Sequence, residues 1–266
     1  MKNSSVNLKV LIVIIIGLLF SSCEKEPLYE EESTNRLAAV EVPSEGLISE
    51  YLFDNYNLKR DGVFPLSPDI EPYLNEGKIG YGLSFNGEVQ FFSTSTEFQE
   101  YFDLNNVYSI CLWFKSSEGG CLFACDGENN YPYKRTKLSL RHDGRLIFSR
   151  YNANTMGGAR TWGAYPFVSR KDGFDNDEWH FLVAIYDAKT LTICVDNEYW
   201  ETFSGLANGT KIIGSEQSME SGKTTQVTIG GCAQNNLPRF IGTMDQIRVY
   251  NKVLTDNEIE LLYNEN

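Results

Sequence analysis

Two kinds of residue in this chain have types and spacing suited to chemistry. One is the carboxylate set into an apolar run. The other is the aromatic ring interleaved with amides and guanidiniums. Asp245 lies in FIGTMDQIRVY, Phe240 to Tyr250. Ile241, Ile247 and Val249 share its parity, the period-2 pattern of one sheet face. A carboxylate in that phase is buried, and backbone N–H groups, a cation or a metal must answer its charge. Asp54 ends an earlier apolar run, GLISEYLFD. The aromatic sets lie in Asp126 to Arg135 (DGENNYPYKR) and in Asn152 to Arg170. Asn130 and Tyr131 in the first, and Arg160, Trp162 and Tyr165 in the second, are types that hold a sugar. Ring faces meet pyranose C–H surfaces, and amides and guanidiniums meet hydroxyls. The same rings serve equally well to cover a sheet edge.

Other chemistries leave no signature. There is no Gly-x-Ser-x-Gly and no phosphate loop. His142 stands before a hairpin turn, and His180 at a strand entry suits packing or hydrogen bonding better than catalysis. The cysteines are Cys23, Cys111, Cys121, Cys125, Cys194 and Cys232. Their spacing matches no zinc site, and the sequence does not pair them. A net charge of −13 repels nucleic acid and anionic lipid, tolerates neutral glycans and favours divalent cations.

The elements that must position these residues begin after an export signal. Lys2 and Lys9 precede an apolar run from Val10 to Phe20, then Ser21-Ser22-Cys23. That pattern reads as a signal peptide over 1–22. The Cys after small residues resembles the lipobox of bacterial lipoproteins, which makes Cys23 the lipidated N-terminus. Acids around Lys25 resemble the sorting signals of Bacteroidota surface lipoproteins. Residues 23–45 read as the lipidated Cys and a flexible tether. Residues 46–266 remain for one large all-β domain.

Within it, strands are expected at Gly46 to Phe53, Ile79 to Phe85, Val107 to Lys115, Trp179 to Tyr186, Leu191 to Val195 and Gln226 to Ile229. Asn86-Gly87 signals a hairpin returning at Val89 to Phe92. Cys121 to Cys125 is expected to pair with Val107 to Lys115 across Ser116 to Gly120. Asp143-Gly144 marks a hairpin between Lys137 to His142 and Arg145 to Tyr151. Asp54 to Asn75 and Asn152 to Asp177 read as long loops. Only the chain's end predicts a helix: Thr255 and Glu258 form a capping box, with Leu254 and Ile259 as a staple. Many strands and one late helix imply a two-sheet antiparallel sandwich or jelly roll.

GLISEYLFD, GKIGYGLSFNG, YSICLWFK, DEWHFLVAIYD with LTICVDN, and FIGTMDQIRVYNKVLTDNEIELL occur in that order. The series resembles the laminin-G-like jelly roll of the concanavalin A-like lectin/glucanase superfamily. The resemblance implies two antiparallel sheets with the terminal strands adjacent. It implies a structural Ca2+ near their junction, with Asp54 and Asp245 as ligands; backbone hydrogen bonding accounts for the same two acids equally well. Retaining glucanases of the superfamily carry Glu-x-Asp-x-x-Glu on one strand, and this chain has no such spacing. The function expected is therefore a non-catalytic, outer-membrane surface lipoprotein that binds glycan and meets the membrane only through its anchor. The alternatives are a structural or adhesion protein with an extracellular protein partner, and a divergent glycoside hydrolase.

Overall fold

The computed structural model describes residues 41–54, 64, 66–68, 73–102, 107–127, 136–156, 159–188, 190–204, 225–232 and 238–265. The described strands are β1 (Leu47–Tyr51), β2 (Ser67–Pro68), β3 (Tyr73–Glu76), β4 (Tyr81–Asn86), β5 (Phe91–Ser93), β6 (Tyr108–Gly127) and β7 (Thr136–Leu140). They continue as β8 (Leu146–Met156), β9 (Ala159–Val168), β10 (His180–Tyr186), β11 (Leu191–Val195), β12 (Tyr199–Phe203), β13 (Thr225–Ile229) and β14 (Ile241–Tyr250). Two helices accompany them, α1 (Thr96–Glu100) and α2 (Asp256–Tyr263).

The strands make two antiparallel sheets. Sheet 1 runs β3, β4, β14, β6, β10, β11, β12, with β1 beside the second half of β14. Sheet 2 runs β2, β5, β13, β6, β7, β8, β9. The core lies between them and takes alternate residues from both, among them Leu83, Phe91, Ile110, Phe123, Leu138, Phe148, Leu182 and Ile247. This is the all-β jelly-roll sandwich with a short C-terminal helix that the strand pattern implies.

β6 belongs to both sheets, and here the expected pairing of its two halves is corrected. Ser116 to Gly120 is not a turn between partners but a bend in one strand. Gly119 and Gly120 take φ of +87° and +121°, and a Cβ on Gly120 would stand 2.4 Å from the Arg239 carbonyl oxygen. Asn86-Gly87 is corrected for a related reason. Asn86 Oδ1 accepts from the Glu88 and Val89 N–H groups, so the turn chemistry is real. The turn is a corner from sheet 1 to sheet 2, and β4 and β5 do not pair.

Two expected loops contain strands. β2 and β3 fall within Asp54 to Asn75, and β8 continues to Met156 and pairs with β9 along its length. The small and polar residues of Asn152 to Arg160 lack the apolar alternation that announces a strand. The hairpin around Asp143-Gly144 forms, but with Leu140 opposite Leu146 and the Arg141 N–H on the Arg145 carbonyl, so His142 joins the turn instead of pairing with Arg145.

The outer face of sheet 1 is apolar and lies under α2. Thr255 accepts from the Glu258 N–H while the Glu258 side chain accepts from the Thr255 N–H, the complete capping box. Leu254, Ile259 and Leu262 are buried against Cys111, Trp113, Phe181 and Val183. Full burial of each such aliphatic side chain is worth about 1.5–3 kcal/mol. Tyr263 stacks on Trp113 with ring centroids 5.5 Å apart.

Candidate functional site

The terminal strands meet at β14, and an irregularity there sets the site. Asp245 pairs with Trp113 and Arg248 with Cys111, so β14 carries one extra residue between them. Gln246 sits in that bulge at φ +50°. The bulge reverses the parity of the strand. Met244 faces the core before it, Ile247 and Val249 after it. Asp245 is thus out of phase with the apolar residues that follow, which corrects the alternation read from the sequence. It is fully buried all the same.

The turn between β3 and β4 answers its charge. Asp245 Oδ2 accepts from the Ile79 N–H at 3.0 Å and Oδ1 from the Gln246 N–H at 2.7 Å. Asp54, just past β1, accepts from the Tyr81 N–H at 3.0 Å. Gly77 N–H closes the turn on the Gly80 carbonyl. A Cβ on Gly77 would lie 2.7 Å from Asp245 Oδ2, and one on Gly80, at φ +58°, would lie 2.0 Å from Asp54 Oδ1. The turn is gripped between two carboxylates, and only glycine fits at its two ends. Lys78 reaches across so that Nζ stands 4.5 Å from the centre of the Trp113 ring. The sequence missed this turn as part of the site; its signal was the paired glycines around Lys78-Ile79.

Burial pushes the Asp245 carboxyl up to about 7. The Ile79 and Gln246 N–H groups pull it down, and the neighbouring Asp54 charge adds to the rise. Neighbouring carboxylate oxygens are the hard donors that a divalent cation takes. Asp54 and Asp245 are the residues that would hold Ca2+, which would supply charge compensation to this junction. Among the described residues no third His, Cys, Asp or Glu joins them, so further ligands would be carbonyls or water.

Beside this junction, Arg248 is the largest fully buried side chain. Its guanidinium bonds Glu50 on β1 at 2.7 Å, Glu265 past α2 at 2.8 Å and Gln246 Oε1 at 2.9 Å. His180 is likewise pinned. Nδ1 lies 2.7 Å from Asp196 and Nε2 3.0 Å from Asn176, with the Phe114 and Phe174 rings on either side.

The expected sugar contacts fall in three places. Asn130 and Tyr131 lie outside the described residues, as does Cys23. Arg160, Trp162 and Tyr165 are on β9 rather than in a loop, in register with Thr155, Ala153 and Arg150 of β8. Exposed rings occur elsewhere: Tyr73, Tyr81 and Trp200.

The outer face of sheet 2 differs in kind from that of sheet 1. One line across four strands reads Ser149, Lys137, Ala124, Thr228. All four are buried, yet three are polar. The Thr228 hydroxyl has no hydrogen-bond partner among the described residues. Lys137 is 5% exposed. A row of this composition does not serve as an apolar seat for a helix.

A two-sheet antiparallel jelly roll closed by its own terminal strands defines a fold class that hosts many functions. Residues 86–260 match the model of a laminin G family of the concanavalin A-like lectin/glucanases superfamily, and the chain belongs to that family. Comparison with curated proteins finds none that matches. Among solved structures, the chain is similar to the binding domain of Paraclostridial Mosquitocidal Protein 1. The identity is 15% and the TM-score 0.60, over 82% of this chain and 52% of that one. It is similar to domain 4 of AbnA, a GH43 extracellular arabinanase from Geobacillus stearothermophilus, in complex with arabinotriose. There the identity is 18% and the TM-score 0.50, over 82% and 98% of the two chains. It is also similar to the binding domain of Botulinum Neurotoxin DC in complex with SialylT, at 13% identity and TM-score 0.56, over 82% and 51%. The chain spans about half the length of the toxin binding domains it matches.

Proposed function

We propose that this protein is an exported, lipid-anchored module that binds glycan without chemical turnover. The observation that carries the reading is the buried polar row on the outer face of sheet 2. The Thr228 hydroxyl there is buried with no hydrogen-bond partner among the described residues, a cost that a folded chain keeps where a ligand's hydroxyls complete the bonding. The β8–β9 hairpin, with Arg160, Trp162 and Tyr165, continues the same sheet, and Asn130 and Tyr131 belong to the neighbouring segment of sequence. The domains of similar fold supply support by analogy, since one is complexed with arabinotriose and another with SialylT.

The test is a glycan array probed with the protein and with Trp162→Ala and Lys137→Met. Capture of one glycan class, lost in the variants at unchanged melting temperature, is the expected result. No capture of any glycan sinks the reading. It then gives way to an adhesion module for an extracellular protein, the reading favoured by a similar toxin domain complexed with rat synaptotagmin II. Ca2+ at Asp54 and Asp245 belongs to the proposal as a structural ion. A melting scan with and without chelator checks it, and no shift removes it. Lipidation at Cys23 and outer-membrane placement are checked by metabolic labelling with a fatty acid. Label retained in Cys23→Ala removes the anchor.

A further inference from the structure

The five cysteines of the described residues lie in three environments, all buried. Cys111 and Cys194 face the helix-covered side of sheet 1. Cys111 pairs with Val183, and Val183 pairs with Cys194, so a whole strand separates them. Two strand spacings put their Cα atoms about 9–10 Å apart, beyond the reach of a disulfide. Cys125 faces the central core. Cys121 and Cys232 share a third place. With Ala124 they form a cluster of their own, apart from the two larger ones.

The backbone fixes that meeting. Cys121 is the first residue past the Gly119-Gly120 bend, where β6 passes from sheet 1 to sheet 2. Its N–H donates to the Pro238 carbonyl at 3.0 Å, and it bridges to Arg239. Gly230, just past β13, donates to the Leu122 carbonyl at 3.0 Å and accepts from the Phe240 N–H at 2.9 Å. The chain therefore passes Cys232 beside β6 and comes back to β6 again at Pro238 to Phe240. A bulge at Leu122 turns both Cys121 and Ala124 away from the core.

We propose that Cys121 and Cys232 are a disulfide site, oxidised as the chain folds. The oxidant is a disulfide donor, either oxidised glutathione or a thiol–disulfide oxidoreductase of an exported compartment. One thiolate attacks the donor disulfide, forming a mixed disulfide and expelling one donor thiolate. The second cysteine, as thiolate, attacks the protein sulfur of that intermediate. The Cys121–Cys232 bond forms and the other donor sulfur leaves. Two electrons pass to the donor, which ends as two thiols and takes up the two protons the cysteines lose. Both sulfurs are buried once folding is complete, so the exchange belongs to folding rather than to the finished protein. The bond would tie the strand shared by both sheets to the segment that carries the chain from β13 to β14.

The experiment refolds the reduced chain in a glutathione redox buffer and, in parallel, in excess reductant. Both products are alkylated after denaturation and mapped by peptide mass spectrometry without reduction. The expected result is one cross-linked peptide pair joining Cys121 to Cys232, with Cys111, Cys125 and Cys194 alkylated. The oxidised product should melt roughly 5–10 °C higher than the reduced one, as a long closed loop implies. Cys232→Ala should abolish both the cross-link and the shift. Wild-type chain recovered with Cys121 and Cys232 both alkylated after oxidative refolding overturns the proposal, as does a cross-link to any other cysteine. The wild-type comparison decides the matter even where the variant folds poorly, and it is independent of whether the protein binds glycan.

Discussion

Arg248 of the last strand donates from Nε to Glu50 Oε1 of the first strand at 2.7 Å, and the two residues are direct partners in the ladder. The same guanidinium reaches Glu265 beyond the closing helix. One buried cation thus collects the start, the end and the tail of the domain.

Removing that cation leaves Glu50 and Glu265 half-buried without a partner. Arg248→Ala should lower the stability of the domain by about 3–5 kcal/mol, read as a shift of the urea midpoint. Glu50→Gln keeps the shape and the Glu265 contact, so it should cost clearly less. Equal losses in the two variants would mean that the ion pair is not what fastens β1.

Asp245 gives a pH dependence of unusual sign. Its folded carboxyl titrates at about 7, above the ordinary value of 3.8. Between those values the unfolded chain has released a proton that the folded chain keeps. In chelator, its contribution should therefore be fully present below about pH 4 and decline as pH rises to about 7, by up to about 1.4 kcal/mol per pH unit. Denaturation midpoints from pH 4.5 to 7 check this, and Asp245→Asn should flatten the slope. Added Ca2+ should flatten it too, because a bound cation holds the carboxylate ionised.

The turn between the two acids should tolerate no side chain at Gly80. Its φ is +58° and the added Cβ would strike Asp54. Gly80→Ala should cost more than about 1 kcal/mol, against the usual small gain when glycine is replaced at an ordinary φ. A melting temperature unchanged from wild type would show that the turn can open without loss.

Thr255→Ala removes half of the capping box and should cost about 1 kcal/mol. The helix then holds Tyr263 less firmly against Trp113, so the near-UV dichroism of that pair should weaken before global unfolding. Loss of both signals at one midpoint would mean that α2 and sheet 1 melt as a unit.

The order of strands and the capped helix were legible because they rest on alternation and on local cap chemistry. What escaped depended on partners distant in sequence. Asn86-Gly87 has the same chemistry whether the chain returns to its neighbour or crosses to the other sheet; the choice is made by Phe240, whose carbonyl receives the Gly87 N–H. The phase of Asp245 could not be read because a bulge at Gln246 leaves no mark on hydrophobicity. Arg248 alternates with Ile247 and Val249, a position that in sequence alone looks like the solvent side of a strand. Nothing nearby in sequence shows that Glu50 and Glu265 await it. The acid pair was nameable, but the Gly77-to-Gly80 turn that receives it became visible only with β3 and β4 in place.

β14 is not an edge strand. It lies inside sheet 1, with β6 along one side and β4 and β1 end to end along the other. The middle of that sheet is therefore filled by the last of the described strands. Sheet 1 stays split until β14 enters between β6 and the β4 and β1 pair, and the long-range pairing that closes it is slow to form.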